Sequence, residues 1–221
     1  MNEIKHRLPA DIERTSMEII REELAARGVT LVPENETVML RVIHTTADFD
    51  YTETMTFTAD AVKQGVAALK TGTDIVTDTN MAKTGISKPA LAKLGGTVHC
   101  YMAEEAVAAM AKTAGTTRAA ASIRIAAQAH PGAVFAVGNA PTALLELCTL
   151  MDQGLRPALV IGVSVGFVNV VESKELLLAA CQRYSVPAII AMGRKGGSNV
   201  AAAICNALLY IATGTLDPGR R

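Results

Sequence analysis

The chain has 221 residues, of which 50% are hydrophobic and 19% are charged, and its 21 basic residues balance 21 acidic ones. This composition excludes an intrinsically disordered chain and supplies enough apolar surface for a sizeable core. The balanced charge gives no general electrostatic reason to expect a nucleic acid or an anionic membrane as partner. Since no linker, charge block or repeat marks a boundary, we expect residues 1–221 to form one domain.

The amino-terminal segment MNEIKHRLPADIERT carries charge throughout and has no apolar signal sequence, so we expect a cytoplasmic protein. The longest apolar run, residues 158–171, is too short to cross a membrane. The four cysteines, at positions 100, 148, 181 and 205, lie far apart without a C-x-x-C pair. This spacing argues against a disulfide framework and a zinc site, and we expect no metal.

Hydrophobic periodicity predicts helices first and then an alternation of strands and helices. Asp11 can cap a first helix that stops at Gly28, and further helices are predicted at 34–46 and 59–70. Short apolar runs then alternate with longer periodic segments. The predicted strands are 74–77, 97–102, 133–137, 158–163 and 188–192, and the later predicted helices are 117–128, 141–152, 173–184 and 198–213. This order predicts an α/β fold with a doubly wound, mainly parallel five-stranded sheet and helices on both faces.

Ligands of doubly wound sheets bind beyond the carboxyl ends of the strands, which directs attention to the loops there. The loop G-R-K-G-G-S (193–198) follows a strand and opens a helix, so Gly196 and Gly197 can free backbone N–H groups for an anion. Arg194 and Lys195 add positive charge. The loop matches neither the P-loop nor the G-x-G-x-x-G pattern, so carboxylate or phosphate capture and a plain solvated turn both stay open.

Two other loops at the same edge are candidates. In G-N-A-P-T-A (138–143), Asn139 can face a ligand or simply cap the following helix. The run V-G-F-V-N-V-V-E-S-K (165–174) is apolar beyond the expected end of its strand and places Phe167 in a loop. An apolar loop of this kind suggests a ligand wall or an oligomer contact.

Arg41 and His44 lie three residues apart in a predicted helix, on one side of it. Histidine is suited to proton transfer near neutral pH, and a neighbouring guanidinium can hold an acidic substrate. An ordinary surface pair on a helix is the competing interpretation.

The remaining candidates carry less information. His99 lies in a predicted strand and His130 at a helix end, where packing and helix termination explain them. Asp48, Asp50 and Glu53 cluster after the His44 helix without a metal-binding motif, so we expect a solvated loop there.

Taken together, several segments resemble the precorrin-8X methylmutases, or precorrin isomerases, of corrin-ring (cobalamin) biosynthesis. The segments that carry the resemblance are I-E-R-T-S-M-E-I-I-R-E-E (12–23), R-V-I-H (41–44), G-N-A-P-T-A-L (138–144), V-G-F-V-N-V-V-E-S-K-E (165–175) and G-R-K-G-G-S (193–198). They occur in the family's order, and the resemblance as a whole covers residues 12–209. One departure is Ser164, where the family often has proline.

The resemblance implies an isomerase that moves a methyl group from ring carbon 11 to ring carbon 12 of precorrin-8 or cobalt-precorrin-8, giving hydrogenobyrinate or cobyrinate. It implies no cofactor, a flavodoxin-like fold and a homodimer with substrate near the subunit interface. It places the catalytic histidine at His44, the general acid in our interpretation, and substrate contacts at Ser16 and Arg41. From the loops we add Asn139 and the segment from Arg194 through Lys195, Gly196 and Gly197 to Ser198 as candidate substrate-binding residues.

Two rival functions remain at this stage. A nucleotide-dependent transferase would need a phosphate-binding fingerprint, which the sequence lacks. A non-catalytic corrinoid or tetrapyrrole carrier would use the same pocket and differ only in turnover. The sequence does not decide whether the substrate contains cobalt, because a metal chelated in the ring needs no ligand pattern in the protein.

Overall fold

The computed structural model describes residues 8–215. Six strands are present in this range: β1 (Met55–Phe57), β2 (Ile75–Thr77), β3 (Val98–His99), β4 (Val134–Val137), β5 (Leu159–Gly162) and β6 (Ala188–Ala191). They form one sheet in the order β1-β6-β5-β4-β2-β3. Neighbouring strands are parallel except β1, which is antiparallel to β6. The predicted α/β fold with a mainly parallel sheet is confirmed.

The prediction of five strands is wrong, because β1 forms a sixth strand at the edge of the sheet. Its three residues M-T-F are too few to show a strand pattern in the sequence. The strand exists through pairing with β6, in which Met55 lies opposite Ala191 and Phe57 opposite Ile189. The edge strand β1 therefore comes from a part of the chain that is distant in sequence from its partner β6.

The helices within the described residues are α1 (Pro9–Ala26), α2 (Glu36–Thr46), α3 (Tyr51–Thr54), α4 (Ala61–Lys70), α5 (Asn80–Gly85), α6 (Lys88–Lys93), α7 (Glu105–Ala114), α8 (Arg118–Ala129), α9 (Pro141–Asp152), α10 (Val170–Arg183) and α11 (Ser198–Thr213). All seven predicted helices are present. Four were not predicted, and two of these, α5 and α6, are six-residue helices whose first turns are capped by Thr79 and Ser87. Such short helices carry too little periodicity to be recognised.

The start of α1 differs from the sequence prediction. The helix begins at Pro9, which suits a first helical position because proline has no N–H to satisfy there. Asp11 therefore lies inside the first turn, where its carboxylate accepts a hydrogen bond of 2.7 Å from Arg14, and it is not the N-cap.

The sheet is covered on both faces. One apolar cluster packs α2, α4 and α11 against one face, and a second packs α8, α9 and α10 against the other. Strands β4, β5 and β6 are completely buried along their length, as their continuous apolar runs predicted. Helix α1 lies outside α2 and packs on it through Ile20, Leu24, Leu40 and Ile43.

Within residues 8–215 no helix combines the length and hydropathy that a membrane crossing would need. The four cysteines are free thiols, as the spacing predicted. Cys181 and Cys205 are buried in the core, and Cys100 and Cys148 are partly buried.

Candidate active site

Four strand-to-helix loops meet at the carboxyl edge of the sheet, and two glycines allow them to touch. A Cβ atom on Gly138, after β4, would lie 2.7 Å from the Cα atom of Ser198, at the start of α11. A Cβ atom on Gly196 would overlap the carbonyl oxygen of Val163, after β5. These positions therefore need glycine for close backbone approach, which gives Gly196 a packing role independent of any ligand.

Lys174 of α10 stabilises the loop between β6 and α11. This side chain is fully buried, and its ammonium donates hydrogen bonds of 2.8 Å to the carbonyl oxygens of Gly193 and Lys195. Burial lowers the pKa of Lys174 to about 8. The two carbonyl contacts fix the path of the loop on either side of Arg194, so this exposed side chain projects from a rigid backbone.

A buried carboxylate organises the neighbouring loop. Asp78, which directly follows β2, accepts hydrogen bonds of 2.8 to 2.9 Å from the backbone N–H groups of Gly138, Asn139 and Ala140. Burial raises the pKa of Asp78, and the three N–H donors oppose that shift. These N–H groups are consequently occupied by the protein's own carboxylate, and only the exposed side chain of Asn139 is left to face a ligand.

Lys195 connects the sheet edge to the end of α2. Its ammonium lies 2.6 Å from carboxylate oxygens of both Asp48 and Asp50, which follow α2. The hydrogen bond from Lys195 lowers the pKa of Asp48, and the two carboxylates raise the pKa of Lys195. The loop is exposed at Asp50 and partly buried at Asp48, and it also binds a cation 145 or more positions away in the sequence, which the local pattern did not predict.

His44 lies in the last turn of α2, four residues before Asp48, and its side chain is exposed. The negative end of the helix dipole favours a positive charge at this place. Arg41, one turn earlier, forms an ion pair with Glu13 of α1 and places its guanidinium carbon 4.9 Å from the ring centre of Tyr210.

Ser16 lies three residues after Glu13 and thus on the same side of α1. Its hydroxyl donates a hydrogen bond of 2.7 Å to the carbonyl oxygen of Ile12. The Glu13–Arg41 ion pair therefore joins α1 and α2 one turn before Ser16, and His44 follows on the same side of α2 as Arg41.

The surface beside these loops combines apolar side chains with a cation. Phe167 is 82% exposed and Val168 is 77% exposed, and both lie in the loop between β5 and α10. The guanidinium carbon of Arg194 lies 5.6 Å from the ring centre of Phe167. Among the described residues Arg194 has no carboxylate partner, unlike Arg41 and Lys195. Such a surface suits a large apolar ligand that carries negative groups at its rim.

The structure therefore places the residues predicted from the sequence in two groups. The ion pairs of Lys195 with Asp48 and Asp50 connect these groups. Ser16, Arg41 and His44 lie on the helix pair, while Asn139 and the loop 194–198 lie on the sheet edge. Sequence reasoning missed the contributions of Asp78 and Lys174. A polar residue directly after a buried strand was a usable signal for Asp78, but nothing local distinguished Lys174 from a solvated lysine.

The sequence model of the family described as precorrin-8X methylmutase matches residues 11–211. The chain belongs to this family. Among solved structures, a precorrin-8X methylmutase from Thermus thermophilus is similar with a TM-score of 0.82 and 38% identity, and the match covers 92% of this chain and 98% of that one.

Curated members of the family share much of the sequence. A cobalt-precorrin-8 methylmutase of Salmonella typhimurium is 48% identical over 80% of this chain and 82% of its own length. One of Priestia megaterium is 42% identical over 92% of this chain and 88% of its own length. A precorrin-8X methylmutase of Pseudomonas aeruginosa is 38% identical over 89% of this chain and 93% of its own length.

Membership of this methylmutase family makes the chain an enzyme, an isomerase of cobalamin biosynthesis. It leaves no support for the nucleotide-dependent transferase or for the non-catalytic carrier. The family resemblance inferred from the five sequence segments is confirmed.

The buried lysine gives a pH-dependent prediction. Because the pKa of Lys174 falls from 10.5 to about 8 on folding, the unfolded chain binds more protons between these pH values, and stability rises with pH. The burial cost is fully present below pH 8. The free energy of unfolding of the wild type minus that of Lys174→Met should therefore become more positive by up to about 3 kcal/mol from pH 7.5 to 10.5.

Chemical denaturation at several pH values measures this difference. Lys112→Met, which removes an exposed lysine from α7, is the matched control and should give a difference that does not change with pH. A flat difference for Lys174→Met as well would contradict a strongly shifted lysine.

Proposed function

We propose that this chain moves a methyl group from ring carbon 11 to ring carbon 12 of cobalt-precorrin-8, giving cobyrinate, with His44 as the general acid. The observation that carries the proposal is the family match over residues 11–211. The exposed position of His44, beside the edge where the strand-to-helix loops meet, supports its role.

The cobalt form is favoured by the names of the relatives. The two curated relatives with 42% and 48% identity are cobalt-precorrin-8 methylmutases, whereas the precorrin-8X methylmutase of Pseudomonas aeruginosa is 38% identical. The metal-free compound precorrin-8, which would give hydrogenobyrinate, is the second candidate substrate. In either case the metal belongs to the substrate.

In the proposed mechanism, His44 donates a proton to the conjugated macrocycle. The proton draws electrons from the ring system and lowers the barrier to the shift, in which the bond from carbon 11 to the methyl group breaks while the bond to carbon 12 forms. The proton returns to the imidazole afterwards, so substrate and product have the same atoms and charge. No other group has to be supplied.

The loop surface supplies the proposed contacts to the carboxylates at the rim of the macrocycle. Arg194 is the cation best placed to bind one of them, because no carboxylate among residues 8–215 neutralises it. The side chain of Asn139 and the backbone of Gly196 lie along the same edge. The Gly197 N–H already donates to the carbonyl oxygen of Val163, and the Ser198 hydroxyl lies 2.8 Å from that of Thr79, so these two residues would bind substrate only if those contacts change. The rings of the substrate would lie against the apolar loop that contains Phe167.

Ser16, Arg41 and Lys195 have more than one possible task. Arg41 and Lys195 already pair with carboxylates, so each can hold α2 in place and bind substrate only if its partner yields. We propose that Ser16 and Arg41 contact the substrate beside His44 and that Lys195 mainly fixes the distance between His44 and the loop 194–198.

We also propose a homodimer in which the loop 165–171 is covered by a second copy of the chain. The support is its exposed apolar surface: Phe167 and Val168 are more than three-quarters exposed, and Val165 is 43% exposed. A shared interface beside Arg194 would place the substrate between subunits.

The proposal also covers the fold type, the number of domains and the cellular location. With antiparallel β1 set aside, the parallel strands follow the order 2-1-3-4-5 of flavodoxin-like sheets, which supports that fold assignment. We propose that residues 1–221 act as one domain, since the family match runs without interruption across both helix layers. We propose a cytoplasmic location because the curated relatives are biosynthetic enzymes.

Incubation of the purified protein with cobalt-precorrin-8 and with precorrin-8 tests the function directly. The visible spectrum should change to that of the corrin product, faster with the cobalt compound. Binding of either compound without conversion would contradict the proposal.

His44→Ala should lower turnover by about 10²- to 10⁴-fold, the usual effect of losing a positioned acid, while product binding changes little. Thr45→Ala, which changes the exposed neighbour on the same helix end, is the matched control and should keep full activity. Near wild-type turnover of His44→Ala would assign the proton to another group.

Arg194→Ala should raise the dissociation constant of the product about 10- to 100-fold, because it removes a charge-assisted hydrogen bond. The control Arg183→Ala removes an exposed arginine at the far end of α10 and should leave binding unchanged. Equal affinity of the two variants, measured by titration of the corrin absorbance, would leave Arg194 without a binding role.

Light scattering should give the mass of two chains at micromolar concentration. Phe167→Asp should shift the protein toward the monomer and lower its activity, because a charge then faces the apolar contact. Leu176→Asp, a comparable change of an exposed leucine on α10, should remain dimeric. A fully active wild-type monomer would remove the dimer from the proposal.

A further inference from the structure

A cluster of two histidines and one aspartate lies at the opposite edge of the sheet from the candidate active site. Asp74 directly precedes β2, His99 is the last residue of β3, and His130 follows α8. Asp74 and Asp78 thus flank the same strand, four residues or about 13 Å apart along an extended chain. The cluster plays no part in the proposed isomerisation.

The geometry points to a binding site for a divalent transition metal of the zinc type, and we propose that Asp74 Oδ2, His99 Nε2 and His130 Nδ1 are its protein ligands. Asp74 Oδ2 lies 3.5 Å from His99 Nε2 and 3.1 Å from His130 Nδ1, and all three atoms lie within 4.8 Å of one another. Metal–ligand bonds of about 2.1 Å in a tetrahedral site place neighbouring ligand atoms about 3.4 Å apart.

The groups around these atoms orient them as metal ligands. Asp74 Oδ1 accepts hydrogen bonds of 2.8 Å from both the backbone N–H and the hydroxyl of Thr97, which leaves Oδ2 free to point at the histidines. The Tyr101 hydroxyl lies 2.7 Å from His130 Nε2, the ring nitrogen opposite the proposed ligand atom. Metal-binding imidazoles usually have such a partner on the second nitrogen.

One existing contact has to change when the metal binds. His99 Nε2 lies 2.8 Å from the Thr97 hydroxyl, so the metal replaces the proton shared there. The hydroxyl keeps its hydrogen bond to Asp74. The rings of His99 and His130 stack with centres 4.1 Å apart, so binding of one ion by both nitrogens requires the rings to rotate out of this stack.

The surroundings leave room for a further ligand. A cavity of about 350 Å³ opens beside Asp74 and His130 and is also lined by residues 71–73 and 132–133. Three protein ligands with an open position accommodate a water molecule or a small anion. Because the ligands come from β2, β3 and the turn before β4, the bound ion would cross-link three neighbouring segments of the sheet. Imidazole and carboxylate together suit Zn²⁺ and neighbouring divalent ions better than Mg²⁺ or Ca²⁺.

The full-length protein, freed of metal by a chelator and dialysed, is titrated with Zn²⁺ in competition with a chromophoric chelator. We expect one ion per chain and a rise in melting temperature on binding. His99→Gln and His130→Gln should each weaken binding by more than tenfold, and Tyr101→Phe should weaken it about 10-fold. Melting curves without metal establish that each variant is folded.

Two control variants separate this site from other ligands of zinc. Cys100→Ser alters the thiol next to His99. Because successive side chains of an extended segment point to opposite faces, we expect this thiol to point away from the cluster. His44→Ala alters the remaining histidine of the described residues. Both should bind Zn²⁺ like the wild type.

Co²⁺ in place of Zn²⁺ should give visible absorption without thiolate charge-transfer bands. Loss of binding in either control, or wild-type affinity no higher than that of the His99→Gln and His130→Gln double variant, would overturn the proposal. None of these measurements depends on methylmutase activity, so the site and the proposed reaction can fail independently.

Discussion

The carboxyl edge of the sheet depends on the burial of a single ammonium group. Lys174 is fully buried and donates to carbonyl oxygens on both sides of Arg194. Desolvating an amine is costly unless it finds hydrogen-bond acceptors, and here the acceptors are the backbone of the loop 193–198. The same contact therefore satisfies the lysine and fixes the loop from which the candidate binding residues project.

That fixed loop helps to set the position of His44, the proposed general acid. Lys195 extends from it to Asp48 and Asp50, which follow His44 after the end of α2. Because the ion pairs are largely exposed, we attribute to them the relative placement of two elements rather than a large share of the stability. Asp78 plays the corresponding part at the neighbouring loop, where its carboxylate binds three backbone N–H groups that an anion would otherwise occupy.

A neutral chain is compatible with a substrate that carries several carboxylates because the charges are distributed locally. Arg41 and Lys195 are paired with carboxylates, whereas Arg194 lies over an exposed aromatic ring. An apolar surface with one unpaired guanidinium selects for a large ring with a charged rim, and a uniformly basic surface would bind many anions without that selection. The histidine cluster at the other edge is separate, so its proposed metal would affect the sheet and not the reacting ring.

The alternation of strands and helices, the burial of β4, β5 and β6, and the family can all be inferred from the amino-acid sequence alone. Each of these follows from local patterns: continuous apolar runs, 3.6-residue periodicity, and five motifs in order. The segment M-T-F at 55–57 becomes a strand only through long-range pairing, because its partner β6 lies more than 130 positions away in the sequence. The histidine cluster also depends on long-range contacts. His99 and His130 are distant from Asp74 in the sequence, and the sheet brings their ring nitrogens to within 3.5 Å of Asp74 Oδ2. The acceptors of Lys174 lie 19 and 21 positions away, the N–H donors to Asp78 lie 60 to 62 away, and the carboxylates that bind Lys195 lie 145 and 147 away. No local pattern specifies which backbone groups or carboxylates they meet.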